Sequence, residues 1–324
     1  MRRALVWSGL LLSLLFGYLA FRDADLGELG DSLRETNGAY LVPAGLALAA
    51  GVLVRAWRWQ LLFERARRPR FGLVANALLI GYLFNTILPA RPGELARVQV
   101  LGKRADVSRA EVLATVVLER VYDLFVLIAL LAVAAPFLPA VAWLNAALGL
   151  GAVLGLALLA AALLVRRYGR RGARILLKPL TLLPAVGEER VDVMAASVVN
   201  GLAAVRAMRP ALTALLVTAL SWLLLAVSAW FLLRGTGIDA GFAAALLVLV
   251  ATNLALVLPA SPAGLGVFEA AAVLALAAFD VGREQALSYA LVLHALNALP
   301  FVVVGYLALW LSTRRGRSGS RTAS

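Results

Sequence analysis

The sequence predicts an all-α polytopic membrane protein with six full spans and two re-entrant helical hairpins, arranged as an inverted repeat. Three observations carry this reading: an apolar composition, the placement of the basic residues, and a proline-broken motif that occurs twice. Of 324 residues, 62% are hydrophobic and only 15% are charged, where soluble domains carry about 25% charged residues. The mean hydropathy is +0.89.

The apolar runs Ala4–Phe21, Ala39–Ala56, Val112–Ala135, Val141–Val165, Ala211–Leu233 and Gln285–Leu311 each approach or exceed the ~20 residues that cross a bilayer. The first follows Arg2 and Arg3 but leads into Tyr18, Leu19, Ala20 and Phe21. No small-residue cleavage site follows, so it reads as a retained first helix. Arg22–Gly38 reads as an acidic outer loop, and Arg166–Arg209 as a basic inner connector with short interfacial helices. Ser312–Ser324, rich in Ser, Gly and Arg, reads as a disordered cytoplasmic tail. The expected organisation is a single transmembrane domain over 1–311, with pseudo-repeats at about 1–138 and 139–311. Gly151 and Gly155 form a GxxxG pair, read as ordinary helix packing.

A net charge of +13 suggests nucleic acid at first sight. The basic residues, however, sit in short loops between apolar runs, which is the positive-inside pattern of a cytoplasmic membrane protein. Nucleic acid is therefore not an expected partner. If Gly72–Leu88 crossed the membrane once, the basic residues from Arg97 to Arg109 and from Arg166 to Arg209 would lie outside. If the chain instead enters at Gly72, turns at Pro89–Pro92 and returns, the count changes. Of the 31 basic residues, only Arg22, Arg34, Arg234 and Arg283 then fall outside, with Arg91 and Arg120 at membrane depth. Both termini become cytoplasmic.

The same parity requires Phe242–Phe279 to enter and leave from the outer side. Leu-Pro-Ala-x-Pro occurs at 88–92 and again at 258–262, after Asn85 and Asn253 respectively. Matched breaks in two halves that enter from opposite faces are the trace of an inverted repeat. Proline removes a backbone donor and stops a helix, and lipid cannot satisfy the freed groups. The hairpin tips are therefore expected to be enclosed by protein. Gly72–Thr86 spans about 22 Å as a helix, less than the roughly 30 Å hydrocarbon core.

Within Val112–Ala135 the chain places Glu119, Arg120 and Asp123, with Glu119 and Asp123 on one helix face. Each charge at a span's centre costs about 2.5–3.5 kcal/mol. Two roles are open: an ion-pair network that fixes packing, or a polar cavity for a headgroup or ion. At depth the acids are Glu94, Glu119, Asp123 and Glu269, and the bases are Arg91 and Arg120. Two acids are thus left over, so one acid should carry a proton or His294 should be charged. His294 is the only histidine, read either as a satisfied bundle histidine or as a proton relay. Gly93, Gly264 and Gly266 at the tips are expected to allow close backbone approach to a ligand.

Enzyme signatures are lacking. The chain has no cysteine and one histidine, so thiolate chemistry, a zinc cluster and a serine–histidine triad are not expected. Neither a metal nor a cofactor is implied, and the chain reads as a non-enzyme.

The stretches "NTILPARPGELARVQVL", "ATVVLERVYDLFVL" and "LPASPAGLGVFEAAAVL" resemble the membrane region of the lysylphosphatidylglycerol synthase family over essentially the whole chain. This resemblance implies a flippase-like, stand-alone member without the aminoacyltransferase domain. The motif positions carried over are Asn85, Pro89, Arg91, Gly93, Glu94, Glu119, Arg120, Asp123, Pro259, Gly264, Gly266 and Glu269. The leading expectation is a transporter that moves a phospholipid or polyprenyl-phosphate lipid across a bacterial cytoplasmic membrane. Arg91 and Arg120 would hold the phosphate, and the partners would be membrane lipids and cell-envelope biosynthesis enzymes. The alternatives are a membrane glycosyltransferase, with Glu94 or Asp123 as base, an accessory subunit, or a scaffold of a lipid-synthesis complex.

Overall fold

The computed structural model describes residues 14–22, 24–88, 92–139, 142–182, 187–201, 208–256 and 262–321. Among them the chain is helical, with no strand. The helices are α1 (14–21), α2 (Leu26–Glu35), α3 (Leu41–Leu61), α4 (Phe71–Ile87), α5 (Gly93–Arg104), α6 (Arg109–Ala134) and α7 (Ala142–Tyr168). They continue as α8 (Arg170–Leu177), α9 (Glu188–Gly201), α10 (Met208–Gly235), α11 (Gly241–Ala255), α12 (Val267–Ala277) and α13 (Arg283–Arg321).

Gly38–Leu61, Arg209–Gly235 and Arg283–Ser312 are long and apolar enough to cross a membrane. The helices Phe71–Ile87, Gly241–Ala255 and Pro262–Ala277 are apolar but shorter. The outward faces of the long helices remain apolar: Leu46 on α3 is 68% exposed and Val303 on α13 is 60% exposed. Such surface is stable in lipid and unstable in water.

Local sequence accounts for the boundaries. Ser108 caps α6 by accepting the Glu111 N–H at 3.1 Å, and Glu111 in the first turn complements the helix dipole. Asp25 accepts the Gly27 and Glu28 N–H groups at 2.7 and 3.1 Å, which turns most of the expected acidic loop into α2. The Asp25-x-x-Glu28 spacing is a helix-start signal, and the buried Leu29 anchors the helix. In the basic connector, α8 and α9 are the short helices expected there. At the C-terminus, α13 continues through Arg321, where an irregular tail was expected. Adding turns to an existing helix avoids the cost of nucleating a new one.

Two large apolar cores fill the bundle. Trp59, Phe63, Leu78, Leu101, Val112 and Val116 form the first, among α3 to α6. Trp222, Leu232, Leu247, Phe268, Leu276 and Tyr289 belong to the second, among α10 to α13, which the later part of α6 joins through Val126, Leu127 and Leu131. The two are joined by the packing of α3 on α10, where Ser228 Oγ donates to the Ala44 carbonyl at 2.8 Å. Gly51 helps here, since a Cβ at this position would come 3.1 Å from Leu225 Cδ2. Gly155 of the GxxxG pair faces Ile128 of α6, in ordinary helix contact.

Side-chain contacts sort the helix ends onto two faces. Ser312, late in α13, bonds to Asn76 near the start of α4 at 3.0 Å and accepts from Arg104 at the end of α5 at 2.7 Å. The α4–α5 pair therefore starts and finishes on one face. On the other, Asn37 N–H meets the Gly235 carbonyl at 2.8 Å, joining the start of α3 to the end of α10. Gln285 reaches the Thr236 carbonyl at 3.1 Å, and Arg283 reaches the Ala20 carbonyl at the end of α1 at 3.3 Å. The α11–α12 pair leaves α10 and leads into α13 on this second face, so the two helical pairs open towards opposite faces.

Candidate functional site

The junction of α4 and α5 is tight. A Cβ on Gly93 would stand 2.1 Å from the Gly81 carbonyl oxygen and 2.5 Å from Asn85 Oδ1. Only glycine fits there, and its N–H donates to Asn85 Oδ1 at 2.7 Å. The freedom expected to serve a ligand at Gly93 therefore serves helix contact. Pro89, Ala90 and Arg91, with Pro259 at the other break, lie outside the described residues, so the expected role of Arg91 has no structural counterpart to report.

The ion pairs differ from the sequence expectation. Glu119, 3% exposed, meets Arg97 at two points, Nη1–Oε1 3.2 Å and Nη2–Oε2 2.6 Å. Arg58 lies against it with Nη2–Oε1 at 3.0 Å and also pairs with Asp123. Trp222 Nε1 donates to Asp123 Oδ1 at 3.0 Å. Arg97 stacks on Trp59 at 4.0 Å, and Trp59 Nε1 donates to Thr115 Oγ1 at 3.0 Å. Arg58 and Arg97, counted above as loop cations, are 0% and 2% exposed. They belong to the interior because α3 and α5 pack against α6 and bring each guanidinium onto the carboxylates of that helix.

Arg120 turns the other way. Its side chain is 52% exposed, with Nη2 2.7 Å from Glu94 Oε1 and Nη1 3.6 Å from Asp123 Oδ2. Asn85 Nδ2 approaches the second Glu94 oxygen at 3.4 Å. Glu94, Glu119 and Asp123 are thus balanced by Arg58, Arg97 and Arg120, and the expected surplus of acid disappears among the described residues.

The second break has its own pair. Gly264 and Gly266 have φ of +81° and +84°, in the region that L side chains avoid. Gly266 opens α12, and its N–H donates to Glu269 Oε2 at 2.7 Å. The other Glu269 oxygen lies 2.5 Å from His294 Nδ1, and the imidazole packs on Phe268 with ring centroids 4.6 Å apart. This geometry satisfies His294 within the bundle and ties α12 to α13. Both glycines serve the turn itself.

A cavity of about 350 Å3 lies between the halves, within the roughly 300–1,000 Å3 range of ligand sites. Of the candidates, Asn85, Glu94, Arg120 and His294 line it. Gly93, Glu119, Asp123, Gly264, Gly266 and Glu269 are not among its lining residues and instead support the walls. Asn253, Asn297 and Arg55 line it as well. Pro300 lies within α13 near this level; lacking an N–H, it frees the carbonyl of Leu296. Arg55 was missed because it was counted as part of a basic loop. The signal was its spacing, three residues before Arg58 and therefore on the same helix face.

Comparison with known proteins agrees with the apolar helices and the broken motifs. A glycosyltransferase, AglD, of Haloferax volcanii is 26% identical over 341 aligned residues, covering 94% of this chain and 54% of that protein. The chain therefore spans about half the length of that relative. Residues 6–305 match the family described as the lysylphosphatidylglycerol synthase TM region. With nearly its whole length matched and its apolar helices in place, the chain belongs to that family of multi-pass membrane proteins.

Proposed function

We propose that this protein moves a phosphate-bearing lipid, a phospholipid or a polyprenyl-phosphate lipid, across the cytoplasmic membrane of a bacterium. The observation that carries this reading is a headgroup-sized cavity, apolar over much of its wall but carrying Arg55, Glu94, Arg120 and His294, between two proline-broken helical pairs that open towards opposite faces. In a membrane these pairs act as re-entrant hairpins beside six spans: α1, α3, α6, α7, α10 and α13. Within each pair the short helices pack side by side, and longer helices flank them: α3 and α13 against α4, α6 and α10 against α11, so that non-helical backbone at this depth has protein beside it. The order of α1, α3, α4–α5, α6 repeats in α7, α10, α11–α12, α13, which supports an inverted repeat with the cavity at its centre. The basic face that gathers the end of α5 and the end of α13 is cytoplasmic by the positive-inside rule.

Transport follows from differential contact. Glu94 and Arg120 line the cavity and are partly exposed, so a charged headgroup can exchange with that pair as the halves rock. The Arg58–Arg97–Glu119–Asp123 network beneath is sealed and holds α3, α5 and α6 in register. The two helical pairs then alternate access while the network stays intact. Catalysis is not required by this geometry: both Glu94 oxygens and both Asp123 oxygens face donors, which leaves them poorly placed as general bases.

A second reading is favoured by the similarity to a protein named as a glycosyltransferase. In it, the chain supplies a lipid-handling membrane part to a glycosyl-transfer system of the cell envelope. Lipid extraction from the purified protein, followed by mass spectrometry, tests the first reading. One class of phosphate-bearing lipid should be retained in near-stoichiometric amount. Retention of bulk lipid in membrane proportions would count against it, and turnover of a nucleotide-sugar donor by the isolated protein would favour the second.

A further inference from the structure

The geometry points to Arg55 as the anchor of a phosphate anion in the central cavity, an inference that rests on the lipid reading above for the source of that phosphate. Among the described residues of the interior, three arginines meet carboxylates: Arg58 with Glu119 and Asp123, Arg97 with Glu119, and Arg120 with Glu94. That set is neutral. Arg55 is the cation left over. Its guanidinium lies 4.1 Å above the Trp222 ring, and Nη1 donates a long hydrogen bond to the Tyr82 hydroxyl at 3.5 Å. Its Nε and Nη2 are out of solvent and have no hydrogen-bond partner.

An unpaired charge held away from water is costly unless something compensates it. Stacking on an aromatic face offsets part of that cost and does not satisfy the remaining N–H donors. The side chain lines the cavity, so the compensating group must enter there. A guanidinium presents paired N–H groups that match two oxygens of a phosphate or carboxylate. Trp222 fixes the plane of the fork from behind, because its own Nε1 is held by Asp123. Asn85, Asn253 and Asn297 on the same walls offer amide N–H groups to the remaining phosphate oxygens. A lipid phosphate enters with its acyl chains still in the membrane; a free phosphate enters alone.

The test uses the purified full chain in detergent with three probes: dioctanoyl phosphatidic acid, inorganic phosphate and dioctanoylglycerol. Equilibrium binding and thermal unfolding are measured for the wild type, Arg55→Gln and Arg55→Lys. The wild type should bind dioctanoyl phosphatidic acid at least ten-fold more tightly than dioctanoylglycerol. Arg55→Gln should lose at least ten-fold of that affinity, and Arg55→Lys should fall between, since the charge remains but the fork does not. Without probe, Arg55→Gln should unfold no earlier than the wild type, because it deletes an uncompensated cation. Unfolding or misfolding of Arg55→Gln, with Arg55→Lys intact, would mark a packing role and overturn the assignment. Equal binding of dioctanoyl phosphatidic acid by wild type and Arg55→Gln would also overturn it while leaving the lipid reading in place. Binding of inorganic phosphate that needs Arg55, without binding of the lipid, would keep the anion site and remove the lipid reading. If no phosphate-bearing probe binds the wild type, both fall.

Discussion

Arg97 and Glu119 face each other through two parallel contacts, 3.2 and 2.6 Å, inside the helix bundle. Arg97 comes from the short α5 and Glu119 from the middle of α6, so this pair fixes the first helical hairpin to the span that follows it. Arg58 approaches the same carboxylate from α3. Three helices therefore meet on one side chain.

Removing Arg97 leaves Glu119 with a single cation. Arg97→Ala should destabilise the protein by about 3–5 kcal/mol, the usual cost of breaking a buried pair. Arg97→Lys should recover only part of this, since an ammonium cannot make both contacts. The double change Arg97→Ala with Glu119→Ala should not restore stability, because Arg58 then loses one of its two acids. Thermal unfolding of the purified variants gives the comparison; full recovery in the double variant would show an isolated pair instead of a network.

Arg120 should behave differently. Half its side chain is exposed, and screened pairs contribute about 0–1 kcal/mol. Arg120→Ala should therefore unfold close to the wild type yet slow lipid movement in vesicles several-fold, because Arg120 lines the cavity. A large loss of stability would place it with Arg58 and Arg97 in the packing network.

Gly93→Ala tests the contact between α4 and α5. The added methyl would stand 2.1 Å from a backbone oxygen, which cannot be relieved by a side-chain rotation. Overpacking of this kind costs about 1–3 kcal/mol, and backbone contact puts Gly93 at the upper end. Gly45→Ala on α3, where a Cβ would meet nothing within 4 Å, is the control and should be neutral or slightly stabilising. Equal unfolding temperatures for the two variants would contradict the packing described.

The absence of cysteine makes the sidedness measurable. Lys103→Cys, exposed at the end of α5, and Gly282→Cys, exposed before α13, lie on opposite faces of the bundle. A membrane-impermeant maleimide should label the Gly282→Cys protein in intact cells and the Lys103→Cys protein only after lysis. Labelling of both from outside would end the hairpin reading of α4–α5.

Much of the fold was legible from the chain because membranes simplify the rules. Length, hydropathy and the parity of basic residues gave α3, α10 and α13, and the repeated proline motif gave both helical pairs. Arg58 and Arg97 were not legible as interior residues because each stands in sequence beside loop cations, Arg65 to Arg70 and Lys103 to Arg109, and was grouped with them. The surplus of two acids at depth was the clue, since buried acids demand cations from somewhere. For Arg55 the clue was only its spacing from Arg58, one turn along; its lack of an acid is visible once Arg58 is seen to take Asp123 and Glu119. Gly93 was legible as special, but its partner was not, since contact with Gly81 depends on how α4 crosses α5.

Lipid movement itself is the most direct test of the account. The full chain, reconstituted in vesicles with fluorescently labelled phosphatidylglycerol or labelled glucosylceramide, can be read by dithionite, which bleaches only outer-leaflet label. Protein-bearing vesicles should lose inner-leaflet phosphatidylglycerol label at least ten-fold faster than protein-free ones, with glucosylceramide unaffected, and Arg55→Gln should abolish the gain. Phosphatidylglycerol movement no faster than in vesicles carrying an unrelated polytopic protein would contradict a phosphate-lipid path through the central cavity.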